Sequence, residues 1–154
     1  MITCQVTELI NRPVAEVFAL AGNLENDLLW RMNLSRKQTT PGLPYVGMTF
    51  QEAMSYQGNY FTMTAVIEAV EPNCRLAFRT VNTAMSIQGK RLFEAVAPNQ
   101  TRFTYELTIE PTGLYKLLPA LTHELFSQQI QRDLLTLRRI ATVRPRTALT
   151  TVAA

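Results

Sequence analysis

Between residues 48 and 110 the apolar side chains return at every second position, and the pattern is broken only by turns of two or three residues. Met48, Phe50, Glu52, Met54 and Tyr56 share one face of the first segment. Gln57-Gly58-Asn59 then turns the chain into residues 60–70, where Phe61, Met63, Ala65 and Ile67 lie opposite threonines. Glu71-Pro72-Asn73, Asn82-Thr83 and Pro98-Asn99-Gln100 separate the segments 75–81, 84–96 and 101–110. The last alternates most cleanly, with Phe103, Tyr105, Leu107 and Ile109 on one side. Strands joined by turns this short pair antiparallel, so the chain is committed to a meander.

A meander with one apolar face needs a cover. Residues 114–141 supply it, with Phe126, Ile130, Leu134, Leu137 and Ala141 stepping by three or four along one helical face. Leu114, Leu117, Leu118, Leu121 and Leu125 belong to another face, and Pro119 stands between. This predicts a short helix, a bend and a main helix. Before the meander, residues 2–10 alternate, with Ile2, Cys4, Val6, Glu8 and Ile10 together. Pro13 suits the first position of a helix that Gly22-Asn23 closes, and a second short helix carries Leu24, Leu28, Leu29 and Trp30. Residues 32–39 read as a polar peripheral strand, and Pro41-Gly42-Leu43-Pro44 as a loop. The expected class is α+β: a curved antiparallel sheet of about seven strands wrapped around a long C-terminal helix, with two short helices after the first strand.

One domain over residues 1–141 and a tail over 142–154 account for all 154 residues. Apolar residues at 47% and no apolar run approaching ~18 residues exclude global disorder and a transmembrane helix. The first ten residues lack the basic start and apolar run of a secretory signal, so the expected compartment is the cytoplasm. The sequons at Asn33 and Asn99 then carry no meaning. Cys4 and Cys74 are expected to be two buried thiols, and with a single histidine, His123, no metal is expected. His123 reads as a surface residue. No phosphate loop, dinucleotide fingerprint or serine–histidine–acid set is present, and no cofactor is expected. The net charge of +3 is concentrated in Arg132, Arg138, Arg139, Arg144 and Arg146, against Asp133 alone. Cations at a helix C-terminus explain this without nucleic acid.

Several segments in order resemble the START-related, birch-pollen-allergen-like SRPBCC superfamily and its polyketide cyclase/dehydratase branch. They are Ile10 to Phe18, Asn23 to Trp30, Gly47-Met48-Thr49-Phe50, Val66 to Pro72 followed by Arg75-Leu76-Ala77-Phe78, and Gln100-Thr101-Arg102, where the branch usually has a glycine before the threonine. The resemblance covers residues 2–141. It implies the helix-grip fold and a cavity between sheet and helix. No catalytic residue is carried over, because none of the branch's catalytic positions can be matched here.

The predicted inner faces bear Trp30, Met32, Phe50, Met54, Tyr56, Phe61, Met63, Phe78, Phe93 and Tyr105. Aromatics and methionines suit a pocket for a flat or greasy molecule, such as a lipid, an isoprenoid or an aromatic polyketide. Glu8 and Glu52 interrupt apolar faces, where a carboxylate must find a partner, such as Arg31, Arg79 or Arg91, or stay protonated. Tyr45, Tyr56, Tyr60 and Tyr105 could offer phenol donors. Three readings stay open: a module that binds a small hydrophobic ligand, a cyclase/dehydratase-type enzyme using a cavity acid, and a protein-interaction module. In the tail, Thr, Val and Leu with one proline and no glycine could add to a sheet edge. Part of 147–153 is therefore expected to contact a second copy, which leaves a homodimer open.

Overall fold

The computed structural model describes residues 1–56, 58–81 and 85–143, with the side chains of Tyr56 and Asn59 outside the description. Its elements run β1 (Ile2–Ile10), α1 (Val14–Ala21), a 3-10 turn (Leu24–Asn26), α2 (Asp27–Trp30), β2 (Leu34–Thr39), β3 (Thr49–Tyr56), β4 (Asn59–Glu71), β5 (Arg75–Val81), β6 (Ser86–Ala97), β7 (Gln100–Glu110), α3 (Leu114–Leu117) and α4 (Pro119–Val143). The seven strands form one antiparallel sheet in the order β1-β7-β6-β5-β4-β3-β2. The meander holds from β2 to β7, and β1 joins beside β7, with Ile2 opposite Ile109 and Ile10 opposite Thr101. The polar strand β2 lies at an edge, as its composition predicts.

Curvature has a local cause. Register shifts at Leu34/Arg36, Ile67/Ala69 and Ala95/Ala97 insert bulges, which bend a strand and increase its twist. The concave face receives α4, whose Phe126, Ile130, Leu134, Leu137 and Ala141 are all buried. The bend before it falls where Pro119 places it. Pro13 caps α1 from just outside rather than serving as its first residue. The helix α4 continues two residues past the expected end, to Val143. The turn at Asn82-Thr83 and the tail contact expected of 147–153 lie outside the described residues. No helix of the described residues is long and apolar enough to cross a membrane.

One strand position requires glycine. Gly89 of β6 faces Phe78 of β5, and a Cβ built on it would stand 2.2 Å from the Phe78 ring. That ring is itself held edge-on by Phe50, with centroids 5.5 Å apart. Gly89→Ala is expected to cost roughly 1–3 kcal/mol by overpacking. The measurement is the urea midpoint, read alongside far-UV circular dichroism that stays native-like.

Candidate functional site: an apolar cavity above a buried charge network

Sheet and helix part at one end of the grip, and a cavity of about 230 Å3 opens there. The β3–β4 hairpin contributes Met54, Phe61 and Met63. Met85 comes just before β6, Ile87 from its start, and Phe126 from α4. The rim is the turn after β7, where Gly113 takes φ +60°, a backbone conformation glycine adopts without strain, and passes the chain into Leu114 and Tyr115 of α3. Outside the rim a wider groove of about 470 Å3 runs between Tyr60, Leu118, Leu121 and Leu125. Phe61 and Tyr115 stand on both, with ring centroids 6.0 Å apart, so this aromatic pair lies at the boundary between cavity and groove.

Two much smaller voids, each of about 10 Å3, continue inward. The first shares Met54, Met63, Ile87 and Phe126 with the main cavity and adds Arg31, Glu52, Phe78 and Tyr105. The second is lined by Trp30, Arg31, Tyr105, Leu107, Ile130, Asp133 and Leu134. Each is the size of one water-sized atom.

Behind these voids lies a network that sequence reasoning found only in part. Arg31 grips Glu52 through both terminal nitrogens, at 2.8 and 3.1 Å, and reaches Asp27 at 3.3 Å. Lys37 of β2 bridges Asp27 at 3.0 Å and Glu52 at 2.5 Å. Arg91 of β6 holds Asp27 in a bidentate pair at 2.8 and 2.7 Å and donates to the Ala21 carbonyl. All five side chains are buried. Lys37 Nζ also sits 3.9 Å from the centre of the Phe50 ring, and the Arg91 guanidinium 5.0 Å from that of Trp30. Of the arginines expected to meet Glu52, Arg31 does so, while Arg79 pairs with Glu68 and Arg91 with Asp27.

Burial alone would raise the Asp27 and Glu52 carboxyls, but the surrounding cations reverse this and hold both below their usual range. Burial pushes Asp133 the other way, upward, although its Oδ1 accepts from the Met32 backbone N–H and from Gln129 Nε2, each at 3.0 Å. The pH dependence follows in sign. Asp27 and Glu52 have native pKa values below the unfolded ~4. Their stabilisation is complete above that range and is lost as pH falls through the native values. Asp133 has a native pKa above the unfolded one, so its contribution exists at low pH and is lost as pH rises. The urea midpoint is expected to drop between pH 5 and pH 3. Asp133→Asn should exceed the unmodified chain at pH 7 and lose that advantage at pH 3, whereas a flat midpoint from pH 5 to pH 3 would contradict the network's role.

Met54, Phe61 and Met63 line the main cavity. Phe78, Tyr105 and Glu52 line the first small void, and Trp30 and Tyr105 the second. Among the described residues, Met32, Phe50, Phe93 and Glu8 do not line these spaces. Phe50 is packed under Phe78, and Phe93 is wedged between Phe18 and Phe103, at 5.0 Å from each. Met32 is 66% exposed, because the chain leaves α2 there and only its backbone N–H turns inward, to Asp133. Glu8 lies toward the end of β1 and pairs with the half-exposed Arg138 at 2.6 Å, away from the cavity lining. Tyr56 falls outside the described side chains. Tyr45 and Tyr60 are exposed, leaving Tyr105 as the buried candidate among the described phenols. Cys4 is buried and its thiol donates to the His123 carbonyl at 3.6 Å, but Cys74 is exposed in the β4–β5 turn, which corrects the expectation of two buried thiols. His123 is exposed, as expected.

Asp27 and Lys37 were not singled out from the sequence, Arg91 was named only as a possible partner of Glu8 or Glu52, and Asp133 only as a counter-charge to the C-terminal arginines. Signals for three of them were present. Asp27 and Arg31 are spaced i, i+4. Arg91 alternates with Gly89 and Phe93 on the inward face of β6. Asp133 follows Ile130 by three on the buried stripe of α4.

No family model matches the chain, and no curated protein matches it in sequence. Solved structures do match in shape. The protein TTHA0849 from Thermus thermophilus superposes with TM-score 0.80 at 18% identity, over 91% of this chain and 97% of that one. The Zhui aromatase/cyclase from Streptomyces sp. R1128 gives 0.72 at 13% identity, over 91% and 93%. The di-domain ARO/CYC BexL of the BE-7585A biosynthetic pathway gives 0.67 at 15% identity, over 94% of this chain and 52% of that one. Identities this low establish architecture alone, and on that ground the chain has the α+β helix-grip fold, with an aromatase/cyclase among its structural neighbours.

Proposed function

We propose that this chain binds a small, largely apolar molecule in the cavity of about 230 Å3 bounded by Met54, Phe61, Met63, Met85, Ile87 and Phe126. The observation that carries the reading is the lining itself. Flexible methionines and aromatic rings around an apolar space accept flat or chain-like molecules at little cost in strain. The groove of exposed leucines outside Phe61 and Tyr115 provides an apolar path to the cavity. The aromatase/cyclase neighbours support a ligand of polyketide-like shape.

A cyclase/dehydratase-type reaction is the second reading, favoured by Arg31 and Tyr105 at the inner wall, where a carbonyl oxygen could be polarised. It lacks a proton donor among the two carboxylates first considered. Glu52 is kept ionised by Arg31 and Lys37, and Glu8 is paired to Arg138 away from the cavity lining. Asp133, the acid whose carboxyl burial pushes upward, borders the second void and not the main cavity, so binding without turnover fits the geometry better.

The test is calorimetric titration with 1-decanol, farnesol and 2-naphthol, on the unmodified chain and on Met63→Trp. Filling the cavity with an indole is expected to weaken any bound probe by about tenfold or more while leaving the fold intact by circular dichroism. A chain that binds none of the probes at their solubility limits would refute the reading.

A further inference from the structure

The buried network does not balance its own charge. Arg31, Lys37 and Arg91 are three cations, and the carboxylates they contact are two, Asp27 and Glu52. Asp133 is the nearby third acid, but among the described residues it makes no ion pair. Its bonds go to an amide N–H and a glutamine rather than to a cation. Among the ion-paired groups of the network, cations therefore outnumber carboxylates by one.

That surplus borders the voids. Arg31 lines both of them, together with Tyr105. A guanidinium has five N–H donors, and the bonds Arg31 makes to Asp27 and Glu52 use three. Two remain in a residue only 7% exposed. Spare donors on a buried cation are best satisfied by an anionic oxygen, through short charge-assisted hydrogen bonds. Between the first void and the main cavity stand Met54, Met63, Ile87 and Phe126, which belong to both. Two of these four are methionines, whose three rotatable bonds let them swing aside. A ligand lying in the main cavity could thus push a single polar end group inward to Arg31.

We infer that the preferred ligand is an apolar monocarboxylate, its hydrocarbon body in the cavity between the β3–β4 hairpin and Phe126 and its carboxylate on Arg31 with Tyr105 beside it. This rests on the ligand-binding reading above and narrows it to a class. The carboxylate would give the spare donors of Arg31 an anionic oxygen, and an alcohol of the same length would not. Glu52 sets the geometric limit, because it borders the same void and repels a carboxylate that moves past Arg31 toward it. One end group fits, and a second charge along the body would face only methionine, isoleucine and phenylalanine.

The experiment is a calorimetric comparison of decanoic acid with 1-decanol at pH 7.5, where the free acid is ionised, on the full chain. Decanoate is expected to bind about tenfold or more tightly than decanol. Arg31→Lys, which keeps a cation but loses the fork, should bring the ratio to about threefold or less. Since that variant disturbs the network and could fail to fold, Tyr105→Phe serves as a second probe. It should weaken decanoate several-fold and leave decanol unchanged. Equal affinity for acid and alcohol would overturn the anchor and leave the apolar-cavity reading standing. A preference for the acid that neither variant alters would place the anion elsewhere, which also overturns it. If neither compound bound, and the apolar probes above also failed, the cavity reading itself would fall.

Discussion

Asp27→Ala is expected to be the most damaging single substitution in this chain, lowering stability by roughly 3–5 kcal/mol. Asp27 is fully buried and is the only carboxylate that Arg91 contacts among the described residues, besides meeting Arg31 and Lys37. Its removal leaves three buried cations with one carboxylate, Glu52. The cost is dominated by that uncompensated charge, since an intact buried pair often contributes little net stability compared with apolar groups of the same size. A small domain has only about 5–15 kcal/mol in total, so the variant should be partly unfolded at physiological temperature. Equilibrium urea unfolding measures the effect. A loss under about 1 kcal/mol would mean that water reaches the network and screens it. Restoring neutrality offers a sharper check: adding Arg91→Met to Asp27→Ala should recover part of the loss, a non-additivity that independent sites do not show.

Trp30→Ala should cost a comparable amount, about 3–5 kcal/mol, by a different mechanism. Trp30 is wholly buried and meets Phe103 and Tyr105 edge-on, with ring centroids 6.1 Å away in both cases. Its loss opens a cavity that the rigid β7 backbone and α4 cannot close, and it strips one aromatic face from Arg91. Its indole N–H has no partner among the described residues, so the damage comes from lost packing rather than from a lost hydrogen bond. Trp30→Phe should therefore retain most of the stability that alanine forfeits. If phenylalanine proved as costly as alanine, the indole N–H would have to be bonded after all. Thermal unfolding of the two variants side by side separates these outcomes.

Local patterns carried the architecture. The alternation in β3, β4 and β7 and the stepped stripe of α4 state which side chains turn inward, because strand and helix geometry fix side-chain direction residue by residue. Turn residues supplied the antiparallel order, and Pro119 marked the break between α3 and α4. The inward position of Glu52 followed from the same period, and so did its need for a cation such as Arg31. What periodicity does not say is how far along a strand the cover extends. Glu8 shares a face with Ile2 and Cys4, but lies where Arg138 can reach it from near the end of α4. Met32 falls just past α2, and its backbone rather than its side chain turns to the core. Phe50 and Phe93 do face inward, but tight ring packing leaves no space beside them for a ligand.

The site itself was settled by contacts across long stretches of chain. Asp27 and Arg91 are 64 residues apart, and Arg31 and Glu52 are 21 apart. In sequence Asp27 and Lys37 look like ordinary surface charges, and only the packing of α2 on α4 and β2, with Glu52 of β3 and Arg91 of β6 reaching the same point, removes them from water together. Position along the grip decides the rest. Where α4 packs fully, apolar side chains make a core; where α3 bends away at Pro119, the same kinds of side chain line a cavity. The sequence by itself determined the strands, the covering helix and the inward faces, since each depends on a spacing of two or of three and four residues. Tertiary structure alone decided which inward groups touch empty space and which charges share a buried network, because burial and charge pairing depend on distances that chain order does not encode.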